Sequence, residues 1–324
     1  MSLAGIYRLL KPDLNRIEKR LETIVASDEP ILTQAANQLL KAGGKRIRPV
    51  FVLLSSQFSK GDPSSVIKVA VTLELIHMAS LVHDDVIDDA DLRRGRKTVK
   101  AEWDNRIAMY TGDFMFARAQ EEMTGITIPE AHQVLSNAIY DMTVGEIIQI
   151  KDQYNWHQNL RSYLLRIKRK TALLMAVSCW LGAKVAGASD KVCSRLYYFG
   201  YFTGMSFQIT DDILDFVGSE KELGKPAASD IRQGNLTLPT LMAFKDPSLK
   251  RKLLTYLEKS EQLTDEEWKH VIDQIRASGG IEAAQRLSDR YLQKAYQTIE
   301  KLPKEVKATK FLKEIADYIG TRKY

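Results

Sequence analysis

The sequence predicts an all-α protein, and three observations carry that expectation. Apolar residues recur at three- and four-residue spacing through residues 31–40, 66–82, 131–150, 160–183 and 192–216, the period of helices that bury one face or more. No alternating run long enough for a strand stands out, and no Asn-Gly or Asp-Gly pair joins strand-like runs. Glycine and proline are sparse and clustered, at Gly43-Gly44, Gly61-Asp62-Pro63, Arg94-Gly95, Gly224-Lys225-Pro226, Gly234 and Pro239, so they punctuate long helices rather than break them.

In chain order, these observations give an apolar helix at 31–40 that ends before the glycine pair, and a second from 66 that runs into an aspartate cluster. Further helices follow at 131–150, 160–183 and 192–216, and the near-continuously apolar central helices should be buried. One longer loop is expected over 217–235. The charged stretch 250–269 reads as a solvated outer helix. No fixed-period repeat or low-complexity tract divides the chain, so one domain over 1–324 is expected.

The chain has 324 residues, 44% of them hydrophobic and 27% charged, enough to bury a core and enclose a pocket. No uninterrupted apolar stretch approaches the roughly 18–20 residues of a membrane span. The first residues lack the apolar segment and cleavage site of a signal peptide. Two cysteines, Cys179 and Cys193, lie in apolar surroundings without C-x-x-C spacing. Neither a disulfide framework nor a zinc site is therefore expected, and the expected compartment is a reducing cytoplasm. The net charge of +6 points to an anionic partner: nucleic acid, a membrane surface or a phosphorylated small molecule. Nucleic acid fits worst, because the basic residues form short clusters beside aspartates instead of long runs interleaved with aromatics. Brief membrane contact remains compatible with the charge.

Those aspartates carry the chemistry. His83-Asp84-Asp85-Val86-Ile87-Asp88-Asp89 follows directly on an apolar helix. On a helix Asp84 and Asp88 share a face, and Asp85 lies about 100° round. The same spacing returns in Asp211-Asp212-Ile213-Leu214-Asp215, again ending an apolar run. Like charges this close repel, so a cation should sit with them. One such triplet could be an ordinary acidic helix end. Two copies point to Mg²⁺, which takes carboxylate oxygens and completes its shell with water and substrate phosphates. Bases stand nearby. Gly43-Gly44-Lys45-Arg46-Ile47-Arg48-Pro49 reads either as a helix C-cap with solvated bases or as a diphosphate cradle. Arg93-Arg94-Gly95 comes five residues after Asp88, and Lys225 lies on the long loop, which could serve as a lid.

The chain resembles the trans-isoprenyl diphosphate synthase (polyprenyl synthase) family. Gly44-Lys45-Arg46-Ile47-Arg48-Pro49 matches its G-K-x-x-R-P element, and His83 to Asp88 with Leu92-Arg93-Arg94-Gly95 matches its first aspartate-rich motif. Gly112-Asp113, Gly145-Glu146 with Gln149, and Lys170-Thr171 match intermediate signatures. Gly204 and Phe207-Gln208-Ile209-Thr210-Asp211-Asp212-Ile213-Leu214-Asp215 match the second aspartate-rich motif.

The resemblance implies a single helical bundle of the isoprenoid synthase type, with a central substrate cavity. It further implies a transferase that adds isopentenyl diphosphate to an allylic diphosphate such as farnesyl diphosphate. In that scheme Asp84 and Asp88 ligate two Mg²⁺ ions and Asp211 a third, with Asp85, Asp212 and Asp215 in support. Arg93 and Lys225 hold the allylic diphosphate; Lys45, Arg48, His77 and Arg94 hold isopentenyl diphosphate. Lys170, Thr171 and Gln208 face the allylic group and stabilise its cation. A dimer is implied, with a small dissimilar regulatory subunit, and a product that feeds quinone synthesis, menaquinone by expectation. One departure stands out: Asn235, in Gly234-Asn235-Leu236-Thr237-Leu238-Pro239, replaces a lysine that many relatives carry, and it brings no positive charge.

Product length is read from the helix before Asp84. Ala79 and Ser80 are small where short-chain relatives carry aromatics, leaving the growing chain free to run past Ile76 and Leu73. A long product is expected, heptaprenyl by the resemblance, with hexaprenyl or octaprenyl made by a homodimer as the alternative. The small residues would otherwise serve close helix packing. From other classes, a di-iron bundle would use Glu74-x-x-His77 and Glu267-x-x-His270, yet it leaves both aspartate triplets and Arg93-Arg94 unexplained. A non-catalytic partner subunit would have lost its motifs, and a terpene cyclase would not need bases for a second diphosphate.

Overall fold

Helices begin where the sequence supplies caps. In the computed structural model, which describes residues 3–93, 95–218 and 227–322, Asp62 accepts hydrogen bonds from the Ser64 and Ser65 amides at 3.1 and 3.0 Å, ahead of Pro63 in the first turn. Asp104, Asn159 and Asp246 cap three further helices in the same way, each satisfying amides that would otherwise lack partners.

The chain forms α1 (Leu3–Ile24), α2 (Pro30–Lys41), α3 (Ile47–Ser56), α4 (Pro63–Ile87), a two-residue hairpin of β1 (Leu92–Arg93) and β2 (Arg96–Lys97), α5 (Val99–Glu102), α6 (Asn105–Met123) and α7 (Pro129–Asp152). Then come α8 (Leu160–Ile167), a π-helical turn (Lys168–Ala172), α9 (Leu173–Val185), α10 (Asp190–Val217), α11 (Ser229–Arg232), α12 (Leu238–Ala243), α13 (Pro247–Leu257), a 3₁₀ turn (Ser260–Gln262), α14 (Asp265–Ala277), α15 (Gly280–Ile299) and α16 (Lys307–Thr321). The all-α expectation holds, and the hairpin is the only sheet among the described residues.

The residues group into two units. The first comprises Met1–Leu135, Val177–Tyr197 and Leu302–Glu314. Its central element is α4, packed against α1, α3 and above all α6. By length and hydropathy α4 would also suit a membrane span, the one such helix among the described residues. Its apolar run is not continuous, because Lys68, Glu74 and His77 interrupt it. Here it is a core helix, with Val69, Leu73, Leu75 and Ile76 buried. The second unit comprises Ser136–Ala176, Tyr198–Lys301 and Ile315–Tyr324. Its core gathers Tyr163, Ile167, Met205, Ile209, Phe216, Leu238, Trp268 and Ile275.

Three expectations need correction. The helix expected over 160–183 is interrupted by the π-helical turn at Lys168–Ala172, a local widening that periodicity over a long apolar run does not register. The loop expected over 217–235 contains α11, while its residues 219–226 lie outside those described. The stretch 250–269 is two helices and a 3₁₀ turn, and it buries Leu253, Leu257 and Trp268; its many charges hid that apolar face.

Candidate active site

In the first unit the aspartate triplet closes α4. Asp84 and Asp85 lie in its last turn and Asp88 caps it, the Asp88 amide donating to the Asp84 carbonyl at 2.8 Å. The side chains divide by burial: Asp85 is buried, Asp84 half-buried and Asp88 exposed. Asp85 accepts from Arg93 Nε at 2.8 Å and Nη2 at 2.7 Å. Burial pushes the Asp85 carboxyl above its usual range and Arg93 opposes that shift. Arg93 is delivered by the hairpin, where Arg93 pairs with Arg96 around Gly95 at φ 73°, a conformation glycine adopts without strain. Arg94 lies outside the described residues.

Residue 83 explains one intermediate signature. A Cβ at Gly112 would sit 2.2 Å from His83 Nε2, so α6 passes this imidazole only with glycine there. His83 also meets the Met109 carbonyl at 3.1 Å and Asp113 at 3.5 Å.

The three bases of the glycine-rich loop separate in the structure. Lys45 is exposed, and its carbonyl accepts from the Tyr7 hydroxyl. Arg48, in the first turn of α3, is half-buried. Arg46 turns inward in a left-handed conformation at φ 47°, with Nη1 3.0 Å from Glu74 and Nε 2.5 Å from Glu18. Those two carboxylates outweigh the burial of its guanidinium and raise its pKa. On α4, His77 is half-buried, Leu73, Ile76 and Ala79 are buried, and the Ser80 hydroxyl donates to the His77 carbonyl at 2.8 Å. Leu73, Ile76, Ser80 and Asp84 therefore follow one another at three- or four-residue steps along one stripe.

In the second unit the π-helical turn carries Lys170 and Thr171. Lys170 Nζ donates to Glu146 at 3.1 Å and Gln149 at 3.2 Å, both on α7. Two glycines permit this approach: a Cβ at Gly145 would lie 2.8 Å from Arg169 Cβ, and one at Gly204 would lie 2.6 Å from Ala172 Cα. The Thr171 hydroxyl donates to Gln208 Oε1 at 2.7 Å. A π-turn is uncommon and tends to sit at functional positions.

The second triplet divides differently. Asp212 and Asp215 are buried and Asp211 is exposed. Asp212 accepts from Tyr163 Oη at 2.6 Å and Gln208 Nε2 at 2.9 Å. Its carboxyl is pushed up to about 7, by burial first and by Asp230 second. Asp215 accepts from Ser229 Oγ at 3.0 Å and the Asp230 amide at 3.2 Å, holding the start of α11. Asp211 pairs with Arg322 near the C-terminus, whose guanidinium also lies 4.0 Å from the Phe207 ring centroid. The Asn235 amide donates to the Asp230 carbonyl at 2.8 Å. Lys225 lies outside the described residues.

Among the described residues no three His, Cys, Asp or Glu side chains gather as a metal cage. The two Glu-x-x-His pairs of a di-iron reading are otherwise engaged. Glu74 is engaged by Arg46, and Glu267 closes a capping box with Thr264.

The motifs do not contain Tyr163 or Arg322, and they set Arg46 among three bases without separating its anchoring pairs from the other two. A tyrosine seven residues before Lys170, two turns away on the same face, is a weak signal for Tyr163. No pattern marks Arg322, whose partner is remote in sequence.

A family model described as Polyprenyl synthetase matches residues 29–275. The chain is 56% identical over its full length to heptaprenyl diphosphate synthase component 2 of Bacillus subtilis (strain 168), covering 92% of that protein. Its fold superposes on the crystal structure of heptaprenyl diphosphate synthase from Staphylococcus aureus with a TM-score of 0.90 at 41% identity, covering 97% of this chain and 99% of that one. It matches the polyprenyl synthase from Caulobacter crescentus CB15, complexed with calcium and isoprenyl diphosphate, with a TM-score of 0.93 at 30% identity, covering 100% and 98%.

Proposed function

The chain belongs to the polyprenyl synthetase family, and on that premise we propose that it adds isopentenyl diphosphate repeatedly to an allylic diphosphate, farnesyl diphosphate, to give trans-heptaprenyl diphosphate. The observation that carries the residue assignments is the division of each triplet. Asp85, Asp212 and Asp215 are buried in hydrogen bonds within the protein, whereas Asp84 is half-buried and Asp88 and Asp211 are exposed.

Asp84, Asp88 and Asp211 hold up to three Mg²⁺ ions with the allylic diphosphate. The bound metal supplies Lewis-acid neutralisation of the leaving diphosphate. Arg93, fixed by Asp85, and Lys225 add positive charge to the same diphosphate. Lys45, Arg48, His77 and Arg94 hold isopentenyl diphosphate, with Arg46 as the internal anchor of their loop. Once the allylic carbon–oxygen bond ionises, the Thr171 and Gln208 oxygens offer dipoles to the cation. The isopentenyl double bond attacks it, and the proton then lost goes to the released diphosphate. Apolar side chains exclude water that would quench the cation. Product growth follows the stripe from Ser80 past Ile76 to Leu73.

The name of the Bacillus subtilis relative implies a second component, and this chain is proposed to work as the catalytic member of such a pair. Its two buried, unbridged cysteines fit a reducing cytoplasm. The test mixes the purified chain with Mg²⁺, farnesyl diphosphate and isopentenyl diphosphate, with and without a second component from a related bacterium, and resolves products by carbon number. Heptaprenyl diphosphate appearing with the pair, and Mg²⁺-dependent farnesyl diphosphate binding by the chain alone, are expected. Absence of both would sink the reading.

A further inference from the structure

The second unit holds an unbroken line of hydrogen bonds that ends on a proposed reacting side chain. Tyr163 Oη meets Asp212 Oδ2 at 2.6 Å, Asp212 Oδ1 accepts from Gln208 Nε2 at 2.9 Å, and Gln208 Oε1 accepts from Thr171 Oγ1 at 2.7 Å. Tyr163 is fully buried, Asp212 is 3% exposed and Thr171 7%, so water does not compete for most of these bonds. The Tyr163 ring is fixed in turn. The Arg166 guanidinium lies 5.7 Å from its centroid, and Arg166 is anchored to the Leu236 carbonyl at 2.5 Å and Gln158 Oε1 at 3.1 Å.

The order of donors along this line has a chemical consequence. A primary amide has one donating end and one accepting end. Asp212 Oδ1 takes the donating end of Gln208. Gln208 must then offer its oxygen to Thr171, and the single Thr171 hydroxyl proton is committed to that bond. What the Thr171 oxygen has left is lone pairs. A group beside a developing allylic cation should be of this kind, since a lone pair stabilises positive charge and a proton aimed at it would not.

We propose that Tyr163 is a positioning residue for the condensation, acting through Asp212 and Gln208 to hold the Thr171 hydroxyl with its lone pairs toward the allylic group. The inference rests on the assignment of Thr171 to that group in the proposed function. It adds a residue from two helical turns upstream and a reason for burying the middle aspartate of the second triplet.

The test is a double-mutant cycle on the enzyme with its second component, read as the single-turnover rate of the first condensation and as farnesyl diphosphate affinity. Thr171→Val, which keeps the shape and removes the oxygen, should lower the rate about a hundredfold with affinity little changed. Thr171→Ser should restore most of it. Tyr163→Phe should lower the rate about tenfold, and the double variant should be no slower than Thr171→Val alone, as expected of residues acting as one unit. If instead the two losses multiply, Tyr163 acts independently of Thr171 and the proposal is overturned. If Thr171→Val leaves the rate unchanged, the assignment of Thr171 itself falls, a different result that takes the inference with it. Far-UV circular dichroism confirms folding. Should Tyr163→Phe not fold, Asp212→Ser breaks the same line at its middle, and the same cycle with Thr171→Val decides.

Discussion

The two aspartate triplets have identical spacing and opposite allocations. In the first, one carboxylate of three is buried: Asp85 faces Arg93, while Asp84 is half-buried and Asp88 exposed at the end of α4. In the second, two are buried: Asp212 is bound to Tyr163 and Gln208, Asp215 holds Ser229 and the Asp230 amide, and only Asp211 is exposed. A shared spacing therefore does not make the triplets interchangeable. Each divides its carboxylates between buried and more exposed positions according to what packs around it, and the proposed function gives the more exposed ones to the metal.

The largest test of that division is on activity. Asp84→Asn, Asp88→Asn and Asp211→Asn should each lower the condensation rate by about a hundred- to a thousandfold, with thermal midpoints close to the parent's. A loss of stability of the same rank as the loss of rate would break the comparison.

Asp215, the buried member outside the Thr171 line, should behave in the reverse way. Asp215→Ala removes the acceptor for Ser229 and Asp230 and should destabilise by about 2 kcal/mol, measured by urea unfolding. In the first triplet, Arg93→Ala leaves Asp85 buried without its cation. That should also cost on the order of 2 kcal/mol, less than for a wholly enclosed pair because Arg93 is 27% exposed.

A subtler difference lies in pH dependence. The Asp212 carboxyl sits at about 7 when folded, against about 3.9 for an unfolded aspartate. Across that interval the folded protein keeps a proton the unfolded chain has lost, so stability falls as pH rises from about 4 to about 7. Metal-free Asp212→Asn should show a flatter stability profile there. Asp85 is shifted in the same direction with Arg93 opposing, so Asp85→Asn should flatten the profile less.

The smallest expected effect belongs to Arg322→Ala. Its partner Asp211 is 46% exposed, so the pair should contribute less than about 1 kcal/mol to stability. Its loss should nonetheless tighten Mg²⁺ binding measurably by calorimetry, because a competing cation is removed from Asp211.

Much of this molecule is readable from local pattern. Helical period alone places α2, α7 and α10 close to their observed limits and finds the middle of α4, since a helix that buries one face must repeat its apolar residues at that period wherever it packs. Clustered charge marks both triplets and the bases beside them, because like charges held close require a counter-charge whatever the fold. The glycine signatures at 112, 145 and 204 are visible as letters, but their reason is not. Each admits a neighbour from another part of the chain: His83, Arg169 and Ala172.

Only the tertiary structure decided the rest. Arg46, Arg48 and Lys45 look alike in a row, yet Arg46 is the one that pairs with Glu74 and Glu18, which wait on other helices. The π-helical turn that presents Lys170 and Thr171 interrupts a run whose periodicity shows no break. Asp212 is buried because Tyr163 lies 49 residues away in sequence and one hydrogen bond away in space. The chain by itself determined helical class, family motifs and the sign of the charge, all set by neighbours in sequence. Burial, pairing and proton direction depend on which distant residues arrive, and packing alone settles that.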